Sequence, residues 1–413
     1  MRFGPWHRLR DAAIAAPPSP GVLQVRREEG LELYPRGKSA MIHYTAANDL
    51  RVACAALAAA HQDAAWLCRF NADPIADPRA AAALQIADFI DRFGEPPTLP
   101  ATLSNPELAW EPSIQRPLVD RAFVDARLAR WPALLDRPFT VLSGGLRSLN
   151  LRIGDVVARL ALESPSALLR EAALLRSLAG RVRVPRVIDG DEHALLLEHV
   201  PHAELPATFA AGERVGATAA KIHAVPQPAC GFLGDDGTLH EPCASALDAL
   251  HAWIAPALHG LAGQRLGPLA AEVTALWTRH ADAMIAAASP CVLVHSDFKV
   301  GNVKWLPATH EVLVLDWEFA WSGPALSDVG QLLRWDPPAA FTAGFERGYL
   351  AGGGRLPHDW QRLAACLDLF NLVHFLAAPE DRPRRTAAVL ARIARTLAVV
   401  QTRSAAPAGT KFR

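Results

Sequence analysis

The segment "CVLVHSDFKVGN" (residues 291–302) joins four apolar residues directly to a group of polar ones. The run "CVLV" has the length and composition of a buried strand. His295, Asp297, Lys299 and Asn302 follow it almost without interruption. Because a polar group that leaves water must be hydrogen-bonded, paired or bound to a ligand, these four side chains predict a shared site at the end of the strand.

A second apolar run, "VLVL" (residues 312–315), ends in the same way, in Asp316. If this run, "CVLV" and "NVKWL" are neighbouring strands, Asp297, Asn302 and Asp316 leave the sheet at one edge. Carboxylate and amide oxygens at such an edge suit Mg²⁺, which keeps water or phosphate in its remaining positions. Each segment alone is also typical of an Asx turn that ends a strand. The recurrence of the pattern within a short stretch favours the metal site.

Three short strand-like runs lie upstream, between residues 139 and 162, and predict a small antiparallel sheet. Gly154 and Asp155 form a typical hairpin turn between the last two runs. Gly144 and Gly145 separate the first two, and their amides are candidates for close contact with phosphate groups. A double glycine by itself is more often only a turn.

The next segment, "SPSALLREAALLRSLAG" (residues 164–180), predicts a helix that follows the N-cap residue Ser164 and stops at Gly180. Its apolar stripe places the carboxylate of Glu171 on the inward face of the helix. A buried carboxylate needs a cation, and Arg159, inside the run "VVARLAL", is the nearest candidate upstream. The alternative is that Glu171 lies at the edge of the stripe, in water.

Composition and charge exclude several classes of partner. The chain has 413 residues, 51% of them hydrophobic, with 42 basic and 42 acidic residues. This balance gives no field that favours nucleic acid or an anionic membrane surface, and no run approaches the roughly 18 apolar residues of a membrane span. The six cysteines form no CxxC pair and no metal-binding pattern with histidine, which indicates buried thiols in a reducing compartment. We therefore expect a cytoplasmic protein.

The sequence divides at a proline-rich stretch, "GEPPTLPATLSNPELAWEPSIQRP" (residues 94–117), which suits neither a regular helix nor a strand. We predict a small α/β accessory domain over residues 1–100, a linker over 101–130 and a larger domain over 131–404. Within the larger domain a β-rich lobe (131–204) precedes a helical lobe (205–404). The predicted fold class is therefore α+β.

The order of these motifs resembles the aminoglycoside phosphotransferase and choline kinase family, small-molecule relatives of the protein kinases. The protein-kinase catalytic pattern is H-R-D, four residues, then Asn, with a metal-binding Asp in the next strand turn. His295, Asp297, Asn302 and Asp316 keep this order and spacing, and "DWEFAWSGPALSDVG" (residues 316–330) is similar to the phosphotransferase form. The resemblance covers residues 139–380. It implies a bilobal, protein-kinase-like fold that uses ATP and Mg²⁺.

The resemblance also implies a role for each catalytic candidate. Asp297 would orient the acceptor hydroxyl or accept its proton, and Lys299 would counter the charge that develops on the γ-phosphate. Asn302 and Asp316 would hold Mg²⁺ against the phosphates. Asp328 would brace the catalytic loop by accepting hydrogen bonds from its backbone N–H groups.

The nucleotide would be bound largely by the β-rich lobe. Arg159, paired with Glu171, would position the α- and β-phosphates, and backbone groups of Glu198 and Val200 in "LLLEHV" would contact adenine. Most kinases have a lysine at the position of Arg159. Arginine keeps the charge and can bind phosphate bidentately, but its reach and geometry differ.

The first hundred residues carry a fainter resemblance, to the core of GIY-YIG nucleases, over "PGVLQVRREEGLELYPRGKSAMIHYTAANDLRVA" (residues 20–53). The position of the first catalytic tyrosine is Leu23, and the expected arginine falls on Ala53. An accessory domain without nuclease activity is therefore favoured.

The leading prediction is an ATP-dependent kinase that phosphorylates a hydroxyl of a small molecule, such as an aminoglycoside, choline or a sugar. Trp335, Asp336, Asp368 and His374 are candidates for the acceptor site, and an acidic lining would suit an amine. Two alternatives stay open. One is a pseudokinase that binds nucleotide without transfer, and the other is a nucleic-acid-acting protein driven by its N-terminal domain.

Overall fold

The structure is a computed structural model of the chain. It describes residues 1–404 except 62–63, 72, 74, 98, 100, 112–118, 143–147 and 163–164, and except the side chains of 165–166 and 401–404. The fold divides into two compact units. The first comprises Met1–Thr102, Pro206–Glu213 and Pro338–Phe345, and the second comprises Leu103–Leu205, Arg214–Pro337 and Glu346–Arg413.

The N-terminal part of the first unit is built on a four-stranded antiparallel sheet, in the order β1-β6-β2-β5. Its elements are β1 (His7–Arg8), α1 (Leu9–Ala15), β2 (Gly21–Arg27), β3 (Glu32–Tyr34), β4 (Gly37–Ser39), β5 (Met41–Ala47), α2 (Leu50–Ala60), β6 (Trp66–Phe70) and α3 (Pro78–Phe93). In β2, Leu23 pairs with Thr45 and Phe70 and is fully buried. The position that the nuclease resemblance gives to a catalytic tyrosine is thus an apolar core position.

The β-rich lobe is a five-stranded antiparallel sheet, in the order β10-β11-β9-β8-β7, with one long helix after β9. This part of the chain contains α4 (Arg121–Arg127), β7 (Thr140–Val141), β8 (Ser148–Ile153), β9 (Val156–Ala161), α5 (Pro165–Leu178), β10 (Val187–Gly190) and β11 (Ala194–Glu198). Gly154, with φ of +63°, lies in the turn between β8 and β9. The predicted small antiparallel sheet is confirmed. Ser164, Gly144 and Gly145 lie outside the described residues.

The rest of the chain is mainly helical. Its elements are α6 (Phe209–His223), β12 (Cys230–Leu233), β13 (Leu239–Cys243), α7 (Ala246–His259), α8 (Leu261–Leu266), α9 (Leu269–Ala287), β14 (Val292–Val294), β15 (Val303–Leu306), β16 (Glu311–Val314), β17 (Trp321–Gly323), α10 (Ala325–Leu333), α11 (Ala339–Ala351), α12 (Trp360–Phe375) and α13 (Pro383–Ser404). Within the described ranges, no helix is both long and apolar enough to cross a lipid bilayer.

The three strands expected to form one sheet are divided between two. β15 and β16 form a separate hairpin, in which Val303 pairs with Val314. β14 instead pairs with β17, in a sheet of order β13-β12-β17-β14. The expectation that β14 neighbours β15 is therefore wrong. The loop between these two strands is hydrogen-bonded to α10, through the Ser296 and Phe298 N–H groups, and it carries the chain away from β14 before β15 begins.

Cys230 and Cys291 correct the expectation that all cysteines are free thiols. A disulfide joins them, with their Cα atoms 5.2 Å apart. The described residues also contain the free cysteines Cys54, Cys68, Cys243 and Cys366. The pair meets because β12 and β14 both flank β17. Because 61 residues separate the two cysteines in the sequence, no local pattern predicted this contact.

Gly330 allows α10 to approach α12 closely. A Cβ atom at this position would lie 2.2 Å from the carbonyl oxygen of Ala364, so Gly330→Ala must move the two helices apart. We expect this change to lower the free energy of unfolding by about 1–2 kcal/mol in urea denaturation, because overpacking outweighs the higher helix propensity of alanine. Gly4→Ala is the control, since its Cβ would meet only the Phe70 carbonyl oxygen, at 3.6 Å. Equal stability of Gly330→Ala and the wild type would contradict this packing.

Candidate active site

Two side chains of α10 hold the loop that follows β14. Asp328 accepts hydrogen bonds from the backbone N–H groups of His295 and Ser296, each at 2.8 Å. Gln331 accepts one from the Phe298 N–H and donates one to the Ser296 carbonyl oxygen, both at 2.8 Å. Asp328 and Gln331 are three residues apart and therefore share one face of the helix. The predicted brace by Asp328 is confirmed, whereas Gln331 was not predicted.

His295 connects this loop to the strand that carries Asp316. The imidazole is fully buried, and its Nε2 lies 2.8 Å from the Leu315 carbonyl oxygen. Its Nδ1 accepts a hydrogen bond from the Asp297 N–H at 3.2 Å. This pattern assigns the proton to Nε2. The Leu315 N–H in turn donates to the Asn302 carbonyl oxygen at 2.9 Å, so Asn302 and Asp316 leave the same end of the β15–β16 hairpin.

The Asp297 carboxylate lies between Asn302 and Lys299. The side-chain amide of Asn302 donates to Asp297 Oδ2 at 2.7 Å and to the Asp297 carbonyl oxygen at 3.0 Å. Lys299 Nζ lies 3.0 Å from Asp297 Oδ1, and the Asp297 side chain is 14% exposed. With its amide N–H groups directed at Asp297, Asn302 keeps its side-chain oxygen for another partner.

Arg159, on β9, contacts carboxylates from three positions along the chain. Its Nε lies 2.9 Å from Glu171 Oε2, and its Nη2 lies 2.5 Å from Asp316 Oδ1 and 3.3 Å from Glu318 Oε2. Arg159 and Glu171 are both buried, so the alternative that placed Glu171 in water is wrong. Glu318 was not among the predicted site residues, although it stands two positions after Asp316.

Burial and neighbouring charges shift the pKa values of this cluster in opposite directions. Burial alone would lower the pKa of the Arg159 guanidinium, but Asp316, Glu171 and Glu318 raise it, so Arg159 stays charged. Burial raises the pKa of Glu171, and Arg159 only partly offsets this effect. The pKa of Asp316 is lowered, because the attraction of Arg159 outweighs burial. Within the described residues, the guanidinium of Arg159 is thus in contact with the carboxylates of Glu171, Asp316 and Glu318.

The backbone is unusual at two positions of the site. Asp316 has φ of +66° and Ser296 has φ of +64°, in the left-handed region that residues with a Cβ atom seldom adopt. Aspartate tolerates this region better than most residues, because its short side chain can hydrogen-bond locally. Such conformations persist where the surrounding structure fixes them, and they cluster at functional sites.

The residues predicted to contact adenine end the last strand of the β-rich lobe. The Glu198 N–H donates to the Arg186 carbonyl oxygen at 3.0 Å, and the Val200 carbonyl oxygen lies 2.7 Å from His202 Nδ1. The Glu198 N–H and the Val200 carbonyl oxygen are thus already bonded within the protein. The predicted contacts with adenine would therefore be made by the Glu198 carbonyl oxygen and the Val200 N–H.

Glu107 enters the site from the stretch predicted to be a linker. It lies in a 3₁₀ turn, Pro106–Ala109. Its carboxylate oxygens lie 3.1 Å from Lys299 Nζ and 2.9 Å from Arg334 Nη1, and Trp335 Nε1 donates to it at 3.1 Å. Burial would raise the pKa of Glu107, but Lys299 and Arg334 lower it. A proline-rich segment has no periodic pattern, so no local signal indicated that this carboxylate would enter the site.

A cavity of about 590 Å³ opens beside Asp297 and Lys299. Of the residues expected to line an acceptor site, His374 lines this cavity. Asp368 forms a bidentate pair with Arg334 at 2.7 and 2.9 Å, and Asp336 pairs with Arg392 at 2.7 Å. The expectation of an acidic lining from these two aspartates is therefore wrong.

Comparisons with known proteins are consistent with this architecture. A family model described as "Phosphotransferase enzyme family" (APH) matches residues 138–366. A crystal structure from Thermobifida fusca YX-ER1, assigned as a fructosamine-3-kinase, is 19% identical, with a TM-score of 0.51 over 68% of this chain and 100% of that chain. The streptomycin-ATP-APH(2")-IIa ternary complex is 14% identical, with a TM-score of 0.50 over 68% of this chain and 97% of that chain. No curated protein gives a significant match.

These similarities show the fold. At such identities a solved structure shows architecture and not substrate. The predicted α+β, protein-kinase-like fold and the predicted family resemblance are both confirmed. The predicted domain boundaries near residues 100 and 130 stay predictions.

Glu107→Gln removes one carboxylate from Lys299 and Arg334 while keeping the size of the side chain. We expect the free energy of unfolding to fall by about 1–3 kcal/mol in urea denaturation, because two buried cations lose a partner but keep Asp297 and Asp368. The pKa of Glu107 is lowered in the folded protein. The loss should therefore be full above the unfolded value of about pH 4.3 and should vanish as pH falls through the folded value.

Glu204→Gln is the matched control for this change. Glu204 pairs with Lys304 at 2.7 Å but is 49% exposed, so its loss should change stability by less than about 1 kcal/mol. Equal losses for the two variants would show that Glu107 is not a buried partner of Lys299 and Arg334.

Proposed function

Since the chain belongs to the phosphotransferase enzyme family, we propose that it is an ATP-dependent kinase that transfers the γ-phosphoryl group to a hydroxyl of a small molecule. The observation that carries this proposal is the position of Asp297, Asn302 and Asp316. All three are fixed to one end of the β15–β16 hairpin by the hydrogen bonds of His295 and Leu315. Phosphoryl transfer depends chiefly on alignment and on neutralising negative charge, which such a group of residues can supply.

Asp297 is assigned to the acceptor hydroxyl. Its carboxylate is anchored by Asn302 and Lys299 and lines the cavity. As the hydroxyl oxygen attacks the γ-phosphorus, the bond to the β-phosphate oxygen breaks and ADP leaves. The hydroxyl proton passes to Asp297, a general-base step of the kind that contributes about 10²–10⁴ in rate.

Lys299 is assigned to the γ-phosphate, where its ammonium group would offset the developing charge. Burial would lower the pKa of Lys299, but Asp297 and Glu107 raise it, so the side chain stays protonated during the reaction. Arg159, oriented by Glu171, is assigned to the α- and β-phosphates. The Glu198 carbonyl and the Val200 N–H are assigned to adenine, and the amides of Gly144 and Gly145 to the phosphates.

Asn302 and Asp316 fit a Mg²⁺ site. They offer an amide oxygen and a carboxylate, the hard oxygen ligands that Mg²⁺ takes beside phosphate and water. The excess of carboxylates around Arg159 also favours a divalent cation. When bound, Mg²⁺ would neutralise phosphate charge. Among the described residues no group of three His, Cys, Asp or Glu side chains forms an all-protein metal site, which agrees with a site shared with the nucleotide.

The expected partners are a nucleotide and a small-molecule acceptor, without nucleic acid or membrane. We assign the protein to the cytoplasm, because the proposed reaction consumes ATP. A pseudokinase is the second candidate. The observation in its favour is that Lys299 and Arg159 are already engaged by carboxylates.

Two isosteric variants separate the proposed roles. Asp297→Asn should lower kcat for ADP release by about 10²–10⁴ and leave Mg²⁺-dependent ATP binding unchanged. Asp316→Asn should abolish that binding. ADP release is measured with a panel of hydroxylated metabolites, and ATP binding by titration calorimetry with and without Mg²⁺.

Asp336→Asn is the control, since Asp336 pairs with Arg392 and does not line the cavity. Turnover that persists in Asp297→Asn would reject the role of Asp297. ATP binding by the wild type, without ADP release for any acceptor, would favour the pseudokinase.

A further inference from the structure

More basic than acidic side chains line the cavity beside Asp297. Its lining contains two acidic side chains, Asp297 and Glu318, and the basic side chains Arg170, Lys299, Arg334, Arg382 and Arg385. Most of these charges have partners within the protein. Lys299 and Arg334 share Glu107, and Glu318 contacts Arg159. A charged side chain of the lining that has no partner within the protein therefore indicates which charge a bound acceptor would carry.

Among the basic side chains of this lining, Arg170 and Arg385 have no carboxylate partner in the described part of the chain. Arg170 donates instead to the Leu233 and Glu318 carbonyl oxygens, at 3.2 and 3.0 Å, which leaves Arg385 as the cation with the fewest contacts. Arg385 is 6% exposed. No carboxylate of the described part of the chain lies within 4.0 Å of its guanidinium. Its Nε and Nη2 are buried without a hydrogen-bond acceptor in the same part of the chain. A guanidinium presents five N–H donors and accepts nothing, so burying it without acceptors is unfavourable.

The carboxylates near Arg385 are occupied elsewhere. Glu380 pairs with Arg382 at 3.0 Å. Glu111 accepts the backbone N–H groups of Arg384 and Arg385 at the start of α13, and also pairs with the Arg384 guanidinium. Burial and the neighbouring charge of Arg382 lower the pKa of Arg385 to about 10. An incoming anion would thus meet a desolvated cation.

Beside these charges, the lining combines polar residues (Ser296, Ser327, Gln331, Asn371 and His374) with a larger apolar surface. The apolar surface includes Phe232, Leu233, Trp253, Trp321 and Phe375. A cavity of about 590 Å³ with such walls suits a ligand with an aromatic or aliphatic body. Asp297 and Arg385 both belong to this lining, so both border the space that a bound ligand would occupy.

We propose that the acceptor carries an anionic group, a carboxylate or a phosphate, which Arg385 binds, together with an apolar body and the hydroxyl that meets Asp297. Only the part of this inference that concerns the hydroxyl rests on the proposed function. Guanidinium groups donate charge-assisted hydrogen bonds to both kinds of anion. An acceptor whose only charge is an ammonium group would leave Arg385 uncompensated and add a like charge beside it.

Matched probes test the charge preference without requiring turnover. The probes are phenyllactate, phenyllactamide and the amino alcohol in which an aminomethyl group replaces the carboxylate; a hydroxy phosphonate of the same skeleton represents the phosphate. Binding is measured by titration calorimetry without nucleotide. We expect the anions to bind about tenfold or more tightly than the amide, since hydrogen bonds to charged groups contribute about 1.5–3 kcal/mol, and the amine to bind most weakly. The tighter of the two anions identifies the group that Arg385 prefers.

Arg385→Gln tests the residue. It should weaken phenyllactate about ten- to hundredfold and leave phenyllactamide unchanged, while Arg385→Lys should retain part of the affinity. Arg279→Gln, on the exposed side of α9, is the control and should change neither. Because Arg385 lacks a partner among the described residues, Arg385→Gln should not lower the Tm of the protein without ligand.

Four results would overturn the proposal: no binding of any probe at millimolar concentration, preference for the amine, equal weakening of all probes by Arg385→Gln, or a marked fall in Tm. These results are independent of the kinase assay. A protein that binds phenyllactate through Arg385 but releases no ADP would refute the proposed function and not this inference. A kinase that prefers the amino alcohol would refute this inference alone.

Discussion

The carboxylate of Asp328 is the constraint on which the rest of the site depends. It is fully buried, accepts hydrogen bonds from two backbone N–H groups of the loop after β14, and lies 3.1 Å from His223 Nε2. The other ring nitrogen of His223 lies 2.8 Å from the Tyr349 hydroxyl. A buried network in which every member is bonded has one favoured arrangement, since breaking any bond leaves a desolvated group unpaired. This network fixes how the loop after β14 lies against α10 and therefore where Asp297 projects.

Charge arranged around this backbone determines what the site can bind. Carboxylates outnumber cations in two groups, one formed by Arg159, Glu171, Asp316 and Glu318, and one by Lys299, Arg334, Asp297, Glu107 and Asp368. Buried ion pairs add little net stability, because desolvation offsets their attraction. Glu318 of the first group and Asp297, Lys299 and Arg334 of the second line one cavity, which ligand binding explains better than folding does. Arg385 belongs to neither group, has no carboxylate partner in the described part of the chain, and is proposed to bind a different part of the ligand.

The sequence predicted the parts of the site that local patterns encode. Asp297 and Asn302 follow an apolar strand at fixed spacing, and the apolar stripe of α5 placed Glu171 on its buried face. Glu107 and Arg385 could not be predicted in this way, because each reaches the site through packing between distant segments. Local sequence patterns also could not predict which strands pair with each other. A run of four apolar residues indicates burial, but it does not identify the neighbouring strand. In the structure β14 pairs with β17 and not with β15.

A crystal structure of the protein with Mn²⁺ and a non-hydrolysable ATP analogue tests the central claim most directly. Mn²⁺ replaces Mg²⁺ in oxygen-ligand sites, and its anomalous scattering locates the ion without ambiguity. The account predicts one ion in contact with the side-chain oxygens of both Asn302 and Asp316, with the γ-phosphate facing Asp297. A nucleotide whose metal ion contacts neither residue, or a γ-phosphate directed away from the Asp297 cavity, would contradict it.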